Sequence, residues 1–299
     1  MNRWLKAFRL RTLPVALAPA LMGVGLGLLA DELHKFSAAL TVTTIILLQV
    51  LSNLANDYGD FESGVDDETR IGPERAMQAG LISKAEMKLA IFLFVLLSAL
   101  SGLFLLYSSW GRIDQVSILF LGVFGVLAIL AAIFYTMGSF PYGYFALGDL
   151  AVFIFFGLIG VLGTLLLQAG KITMISWAPA ASLGLLITAV LNVNNMRDEV
   201  SDRLKKKNTL VVKIGGELAK KYHLGLHIVS FALMLFYAII SGRSWLLLPI
   251  LLILFYLPLL RSVYNQSDSQ QLDPYLKKHA IGSFLFSLFF LIGALIETQ

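Results

Sequence analysis

One stretch of the sequence, NLANDYGD, places carboxylates and amides at helical spacing. Each residue advances a helix by about 100°, so four side chains of this stretch fall within one arc of roughly 100°. They are Asn53, Asn56, Asp57 and Asp60. Gly64 then permits a turn, and Asp66 follows it, where it could fold back over the same face. One helix end is therefore predicted to present a concentrated set of oxygen ligands.

A second stretch, NVNNMRDEVSDRLKKKNTL, repeats the pattern much later in the chain. Asn194, Asp198 and Asp202 are spaced i, i+4 and i+8, so they share one helix face. The basic run 205–207 comes directly after it. Two such faces on separate helices indicate one shared polar site.

Ligand sets made only of oxygen suit a hard cation such as Mg²⁺ or Ca²⁺ and argue against zinc or copper. Mg²⁺ is usually held by a few carboxylates together with substrate phosphates, and neighbouring Arg and Lys side chains suit phosphate oxygens. The alternative interpretation is that these residues are solvated loop charges and helix caps. Two matched faces favour the interpretation that the acids hold a metal ion and the bases contact phosphate.

The elements that position these residues are membrane helices. Of the 299 residues, 58% are apolar and 14% are charged, whereas a soluble domain carries about 25% charge. The chain has no cysteine, which excludes thiolate metal sites and a cysteine nucleophile. Strand periodicity is absent, so the sequence predicts an all-α polytopic membrane protein with a single domain over 1–299 and motif loops at 53–78 and 192–213.

Nine apolar windows are long enough to span a bilayer. They lie at 12–30, 37–56, 86–108, 116–136, 144–168, 173–195, 222–241, 244–262 and 280–296. With the N-terminus in the cytoplasm, 19 of the 23 Lys and Arg residues fall on the cytoplasmic side. This predicts a multi-pass protein of the cytoplasmic (inner) membrane with both acidic motifs on its cytoplasmic face. The basic charge is explained by topology and the lipid bilayer and requires no nucleic-acid partner.

The motifs resemble those of the UbiA superfamily of membrane prenyltransferases. The resemblance rests on NDYGDFESGVD, RIGPERAMQ and NVNNMRDEVSDRLKKKNTL, and it extends to RLRTLPVALAP, YTMGSFPYGYFALGDLAVFIFFG and LDPYLKKHA. Within the superfamily, these segments are most similar to the branch that prenylates 1,4-dihydroxy-2-naphthoate in menaquinone synthesis.

The resemblance implies nine helices around a central cavity, with Mg²⁺ ions that bind the diphosphate of a polyprenyl diphosphate donor. The implied metal ligands are Asp57, Asp60, Asp66, Asp198 and Asp202, and Asn53 and Asn194 would assist them. In the general superfamily pattern a third Asp stands where this chain has Gly64, and Asp66 is the nearest substitute.

The implied reaction transfers the polyprenyl group to 1,4-dihydroxy-2-naphthoate with loss of CO₂ and diphosphate, giving demethylmenaquinone. Candidates to neutralise the leaving diphosphate are Arg9, Arg70, Arg75, Arg197 and Lys207. Candidates to orient the acceptor and take its proton are Tyr135, Tyr142 and Asp149. Asp149 is the only acid between positions 115 and 197, and a helix N-terminal role is its alternative.

Other functions remain open at this point. The acidic motifs alone do not separate this acceptor from 4-hydroxybenzoate or homogentisate. A cation transporter would instead place acids near the middle of spans. His223 and His227 have i, i+4 spacing, but no third ligand stands nearby in sequence, so no metal site is predicted there.

Overall fold

The computed structural model describes residues 3–65 and 72–299 of the chain. Over these two ranges the regular secondary structure is helical, and the only bridge joins Trp110 to Ile113. The predicted all-α fold is confirmed. Predicted residues Asp66 and Arg70 lie outside the described ranges.

Nine helical segments in the described ranges are long and apolar enough to cross a membrane, as predicted. They are α1 (Arg3–Leu29), α2 (Lys35–Glu62), α3 (Lys84–Ser108), α4 (Gln115–Phe134), α5 (Gly148–Ala169), α6 (Met174–Leu204), α7 (Gly216–Ser241), α8 (Ser244–Asn265) and α9 (Ser269–Glu297).

Several of these segments change helix type along their length. In α1, a 3₁₀ turn at Leu10–Thr12 separates Arg3–Phe8 from Leu13–Leu29, and in α5 a π-helix occupies Phe153–Ile159. Segments α6, α8 and α9 begin with 3₁₀ turns at Met174–Ser176, Ser244–Leu252 and Ser269–Leu272. Two short helices, Tyr142–Tyr144 and Leu210–Ile214, lie in the connections before α5 and α7.

The two helices that carry the acidic motifs extend beyond their apolar windows. The windows end at 56 and 195, whereas α2 continues to Glu62 and α6 to Leu204. Hydropathy detects only the lipid-depth part of a helix, but the backbone hydrogen bonds continue into the polar end. The acids at 57, 60, 198 and 202 therefore stand on regular helix.

Close helix contacts are made where residues are small. Segment α1 packs along α9 and α5, and α6 packs along α7. A Cβ placed on Gly157 of α5 would lie 2.6 Å from the Cα of Gly184 on α6. Without a side chain at either position, the two backbones approach closely, as membrane helices do at small residues.

A cavity of about 370 Å³ lies between α1, α2, α4 and α5. Segment α4 forms part of its wall, and none of the residues of this segment is buried. Leu119 and Val126 of α4 are exposed on the outside, whereas Phe124 and Ala128 line the cavity. An apolar helix with one face to lipid and one face to a cavity explains why α4 is apolar all round.

Candidate active site

The polar ends of α2 and α6 meet at one site. Asp60 and Asp202, one from each helix, are 1% and 3% exposed. The Nζ atom of Lys207 lies 4.0 Å from Asp60 Oδ1 and 3.8 Å from Asp202 Oδ1. A single ammonium group therefore stands between carboxylates from the two predicted acidic faces.

Three groups from three different segments surround the Asp60 carboxylate. Arg75 Nη1 lies 2.6 Å from Asp60 Oδ2, and the Tyr144 hydroxyl donates to Asp60 Oδ1 at 2.6 Å. The third group is Lys207, whose ammonium also lies 5.3 Å from the centroid of the Tyr144 ring. Burial and the adjacent Asp60 raise the pKa of the Tyr144 phenol above its ordinary value, so this hydroxyl remains a hydrogen-bond donor.

Backbone contacts hold the surrounding loops together. The Asn208 N–H donates to the Tyr144 carbonyl at 3.1 Å, and Lys205 Nζ donates to the Val65 carbonyl. Arg75 Nη1 also donates to the Asn56 carbonyl at 2.6 Å. The end of α2 and the loops before α5 and α7 are therefore tied into one assembly.

Gly59 explains how α2 fits against the connection after α4. A Cβ at this position would lie 2.5 Å from Thr136 Oγ1 and 2.6 Å from the Thr136 carbonyl oxygen. The Thr136 hydroxyl donates to the Ala55 carbonyl at 3.1 Å. The glycine in the NDYGD motif thus leaves the space that Thr136 occupies.

Asp57 and Asp198 complete the described acidic set. Asp57 is buried, one residue beyond Asn56 on α2. Asp198 accepts two hydrogen bonds from its neighbour Arg197, at 2.8 Å from Nε and 2.7 Å from Nη2. Arg197 Nη1 also lies 2.6 Å from Asp273 Oδ1 on α9. The guanidinium of Arg197 is therefore held by carboxylates on both sides.

The predicted amide ligands are engaged with protein groups. Asn53 Nδ2 donates to the Phe8 carbonyl and to Thr12 Oγ1, both at 3.0 Å, so Asn53 fixes α1 against α2. Asn194 Oδ1 accepts from Arg197 Nη2 at 3.1 Å. Arg9 adopts a left-handed backbone (φ 48°) at the break in α1, a conformation uncommon for residues other than glycine.

Tyr135 and Tyr142 line the cavity next to Asn56, at its polar end. Their rings meet edge to face at 5.3 Å, and the Tyr142 hydroxyl donates to the Ala131 carbonyl at 2.8 Å. Burial raises the pKa of both phenols, and Tyr142 and Asp149 raise that of Tyr135 further. Both hydroxyls therefore remain protonated. Because the Tyr142 hydroxyl already donates its hydrogen bond to the backbone, Tyr142 has a positioning role.

Asp149 is buried at the start of α5, close to the Tyr135 phenol. A Cβ on the preceding residue, Gly148, would lie 2.9 Å from the Tyr135 hydroxyl oxygen. Asp149 Oδ1 is buried without a hydrogen-bond partner in the described part of the chain, and Tyr222 lies beside the carboxylate. Of the three residues predicted to serve the acceptor, Tyr135 and Tyr142 therefore line the cavity, whereas Asp149 lies beside the Tyr135 phenol and is not among the lining residues.

Three residues of the site escaped the sequence prediction. Tyr144 lies in the same PYGY segment as Tyr142. The spacing of residues in this segment does not indicate which of the two tyrosines contacts an acid. Asp273 is the first residue of the DPYLKK segment, and its position in the first turn of a helix suggests only an acid that interacts with the helix dipole. Thr136 has no signal of its own in the sequence.

The residues present fit a hard divalent cation. Their donors are carboxylate oxygens, and Asp202 Oδ2 is buried without a hydrogen-bond partner in the described ranges. Lys207 shows that a positive charge is accommodated between Asp60 and Asp202. Asp57, Asp60, Asp198 and Asp202 are the described residues that could hold such an ion.

Residues 16–288 match the UbiA prenyltransferase family. The chain is 41% identical to the 1,4-dihydroxy-2-naphthoate octaprenyltransferase of Escherichia coli K12, over 98% of this chain and 95% of that protein. It is also 41% identical to the enzyme of the same name from Haemophilus influenzae, over 99% and 96% of the two chains.

The fold is also similar to that of solved structures. A UbiA homolog from Archaeoglobus fulgidus bound to DMAPP and Mg²⁺ superimposes with a TM-score of 0.68 at 15% identity, over 99% of each chain. The nine apolar helices of the described ranges, the acids at the polar ends of α2 and α6, and the family match all support one assignment. The chain is a membrane-embedded enzyme and belongs to the UbiA prenyltransferase family.

Proposed function

We propose that this enzyme transfers a polyprenyl group from polyprenyl diphosphate to 1,4-dihydroxy-2-naphthoate, with release of CO₂ and diphosphate. The product is demethylmenaquinone, formed in its reduced quinol state. The observation that carries the proposal is the 41% identity, over almost the whole chain, to enzymes named for this acceptor. The same evidence weighs against 4-hydroxybenzoate and homogentisate as acceptors.

The acidic site would bind the diphosphate. Bound to Asp57, Asp60, Asp198 and Asp202, and to Asp66 outside the described residues, Mg²⁺ would neutralise the charge that develops on the leaving diphosphate. Lys207 and Arg75 already lie at this site and would contact phosphate oxygens. Arg9, Arg70 and Arg197 are further candidates to contact the phosphate oxygens. Asn53 and Asn194 would assist the carboxylate ligands.

The cavity would hold the polyprenyl chain. Its walls are mainly apolar side chains of α1, α2, α4 and α5, and its polar end carries Asn56 and Tyr135. A donor with its diphosphate at the acidic site would place its allylic carbon at this end. Breaking the allylic C–O bond there would form the carbocation away from water, which protects it from hydrolysis.

Asp149 and Tyr135 would serve the acceptor. The ring of the naphthoate attacks the allylic carbon, a C–C bond forms, and the bond to the carboxylate breaks to release CO₂. The buried Asp149 carboxylate would accept the phenolic proton of the acceptor as the ring attacks, and would return it to the ring oxygen as CO₂ leaves, which yields the quinol. The protonated Tyr135 would orient the acceptor by donating a hydrogen bond. Tyr142 would hold Tyr135 in place through its ring contact.

The enzyme would lie in the cytoplasmic membrane with its N-terminus and its acidic site facing the cytoplasm. The distribution of Lys and Arg between the loops supports this orientation. A water-soluble acceptor and the charged diphosphate would then both be exchanged with the cytoplasm.

The test is a turnover assay with detergent-solubilised protein and a polyprenyl diphosphate. The naphthoate and 4-hydroxybenzoate are offered in parallel, each with Mg²⁺ and with EDTA. We expect Mg²⁺-dependent prenylated product from the naphthoate alone. Product from the benzoate alone would overturn the acceptor assignment, and full turnover in EDTA would overturn the metal assignment.

Asp57→Asn and Asp198→Asn should each abolish Mg²⁺-dependent turnover, because an amide is a weaker ligand and removes one negative charge. Glu217→Gln is the matched control, since Glu217 is an exposed acid whose partner is Lys220. Helix content by circular dichroism checks that the variants are folded. Near-normal activity of either Asp variant would show that its cluster does not hold the metal.

A further inference from the structure

Three of the four histidines form a buried cluster away from the acidic site. His223 and His227 lie on α7 and His279 lies on α9, and none is more than 1% exposed. The i, i+4 pair was visible in the sequence, but the third member comes from a helix that is distant in the chain. Folding supplies the ligand that the sequence pattern lacked.

The three rings are close enough together to share one metal ion. One ring nitrogen from each histidine lies within 4.8 Å of the others. The Nε2 atoms of His223 and His279 are 3.1 Å apart. Two nitrogens bound to one tetrahedral ion at about 2.0–2.1 Å are separated by roughly 3.3 Å, so His223 and His279 already stand at the required separation. The nitrogen of His227, which lies within 4.8 Å of the other two, would have to move closer.

Two of the rings are already oriented by backbone carbonyls. His227 Nδ1 lies 2.9 Å from the His223 carbonyl, and His279 Nδ1 lies 2.8 Å from the Tyr275 carbonyl. A carbonyl oxygen can only accept, so each Nδ1 carries the proton and each Nε2 presents its lone pair. Metal-bound histidines are held in this way by an acceptor behind the ring.

The cluster leaves polar atoms unsatisfied when only protein groups are considered. His223 Nδ1 and His227 Nε2 are buried, and no hydrogen-bond partner for either exists in the described ranges. Tyr256 closes another side, with its ring centroid 4.9 Å from that of His227 and 5.8 Å from that of His279. The lone pair of His227 Nε2 is thus buried without a partner among the described residues, which is destabilising, and a bound cation would satisfy it.

We propose that His223, His227 and His279 bind a divalent transition metal, with Zn²⁺ as the best fit, and that this ion fastens α7 to α9. Three imidazole nitrogens suit Zn²⁺ and are poor ligands for Mg²⁺. The site is thus chemically distinct from the carboxylate site. Its burial makes it a structural site.

Its position links it to the active site through α9. Asp273, which pairs with Arg197, precedes His279 by six residues, or about 9 Å along the helix. An ion that fixes His279 against α7 also fixes the register of α9. Asp273 would then be held where it meets Arg197 and, through Arg197, Asp198.

The test uses the full chain, purified with a histidine-free tag, treated with a chelator and returned to excess Mg²⁺ so that the carboxylate site is occupied. Co²⁺ is then added as the probe, followed by Zn²⁺. We expect one equivalent of Co²⁺ with the strong visible absorption of a tetrahedral nitrogen site, displaced by Zn²⁺. Zn²⁺ should also raise the Tm of the protein.

His227→Gln and His279→Gln should each lose this absorption and the Zn²⁺-dependent rise in Tm. His34→Gln is the matched control and should retain both, since His34 is a partly exposed histidine before α2. Two independent variants guard against a single substitution that prevents folding. Equal Co²⁺ absorption in all variants, or no tetrahedral signal in the unmodified chain, would overturn the proposal.

Discussion

Lys207 joins the two acidic faces, because its ammonium lies within 4.0 Å of both Asp60 and Asp202. In Lys207→Gln, we expect the KM for polyprenyl diphosphate to rise about tenfold, since a charge-assisted contact to phosphate is lost. Steady-state kinetics over a range of donor concentrations measures the effect. Lys206→Gln is the control, because Lys206 is the exposed neighbour and should leave KM unchanged. Equal kinetics in the two variants would contradict a diphosphate role for Lys207.

Tyr144 orients Asp60 through a single hydroxyl at 2.6 Å. Tyr144→Phe keeps the ring under Lys207 but removes the donor, so the carboxylate loses one of the groups that fix it. Groups that hold a metal ligand in place are worth about 10- to 100-fold in metal affinity. We therefore expect the Mg²⁺ concentration for half-maximal activity to rise by at least that lower factor.

The comparison for Tyr144→Phe is Tyr107→Phe, at a tyrosine that is 75% exposed on α3. That variant should retain the Mg²⁺ dependence of the unmodified enzyme. An unchanged Mg²⁺ titration for Tyr144→Phe would show that Arg75 and Lys207 are sufficient to hold Asp60.

At the level of helices, the site depends on how closely α2 approaches the connection after α4. Gly59→Ala would place a methyl group 2.5 Å from Thr136 Oγ1 and 2.6 Å from its carbonyl, so the backbone at 135–136 must move. Overpacking of this kind destabilises proteins by about 1–3 kcal/mol. Because Tyr135 is part of the displaced segment, turnover should fall together with the Tm.

Gly102→Ala is the appropriate comparison for Gly59→Ala. Gly102 also lies within a membrane helix, but a Cβ there would meet nothing within 4 Å. Thermal unfolding and turnover of this variant should match those of the unmodified chain. If Gly59→Ala behaved like Gly102→Ala, the approach of Thr136 to α2 would not be needed for the site.

At the level of the whole molecule, the sequence predicts the helices better than their contacts. Nine apolar windows predicted the nine segments found in the described part of the chain, because length and hydropathy are local properties. Helical spacing gave the acids on α2 and α6 for the same reason. It could not show that Tyr144, rather than Tyr142, reaches Asp60, because both tyrosines belong to one short turn.

Contacts between segments that are distant in the chain could likewise not be predicted from the sequence. The pairing of Arg197 with Asp273 and the meeting of His223 with His279 each join α9 to an earlier helix. No periodicity within either segment encodes such a pair. The π-helix at Phe153–Ile159 was also not predicted, since an apolar run gives the same pattern for π and α geometry.

The size of the cavity between the helices should limit the chain length of the polyprenyl donor that the enzyme accepts. If the polyprenyl chain lies in the 370 Å³ space between α1, α2, α4 and α5, a bulky side chain in its wall should exclude long donors. Ala128→Phe on α4 points such a side chain into the cavity. We expect kcat/KM for an octaprenyl donor to fall about tenfold or more, while geranyl diphosphate, whose chain ends sooner, is used nearly as before.

The control lies on the opposite face of the same helix. Val126 is 59% exposed on the lipid side of α4, so Val126→Phe adds a similar side chain without entering the cavity. Competition between the two donors in one reaction, with products separated by chain length, gives the ratio of kcat/KM directly. An equal loss for both donors in Ala128→Phe would indicate general damage to the bundle. An unchanged ratio at full activity would mean that the polyprenyl chain takes another path, along the lipid-facing surface of the helices.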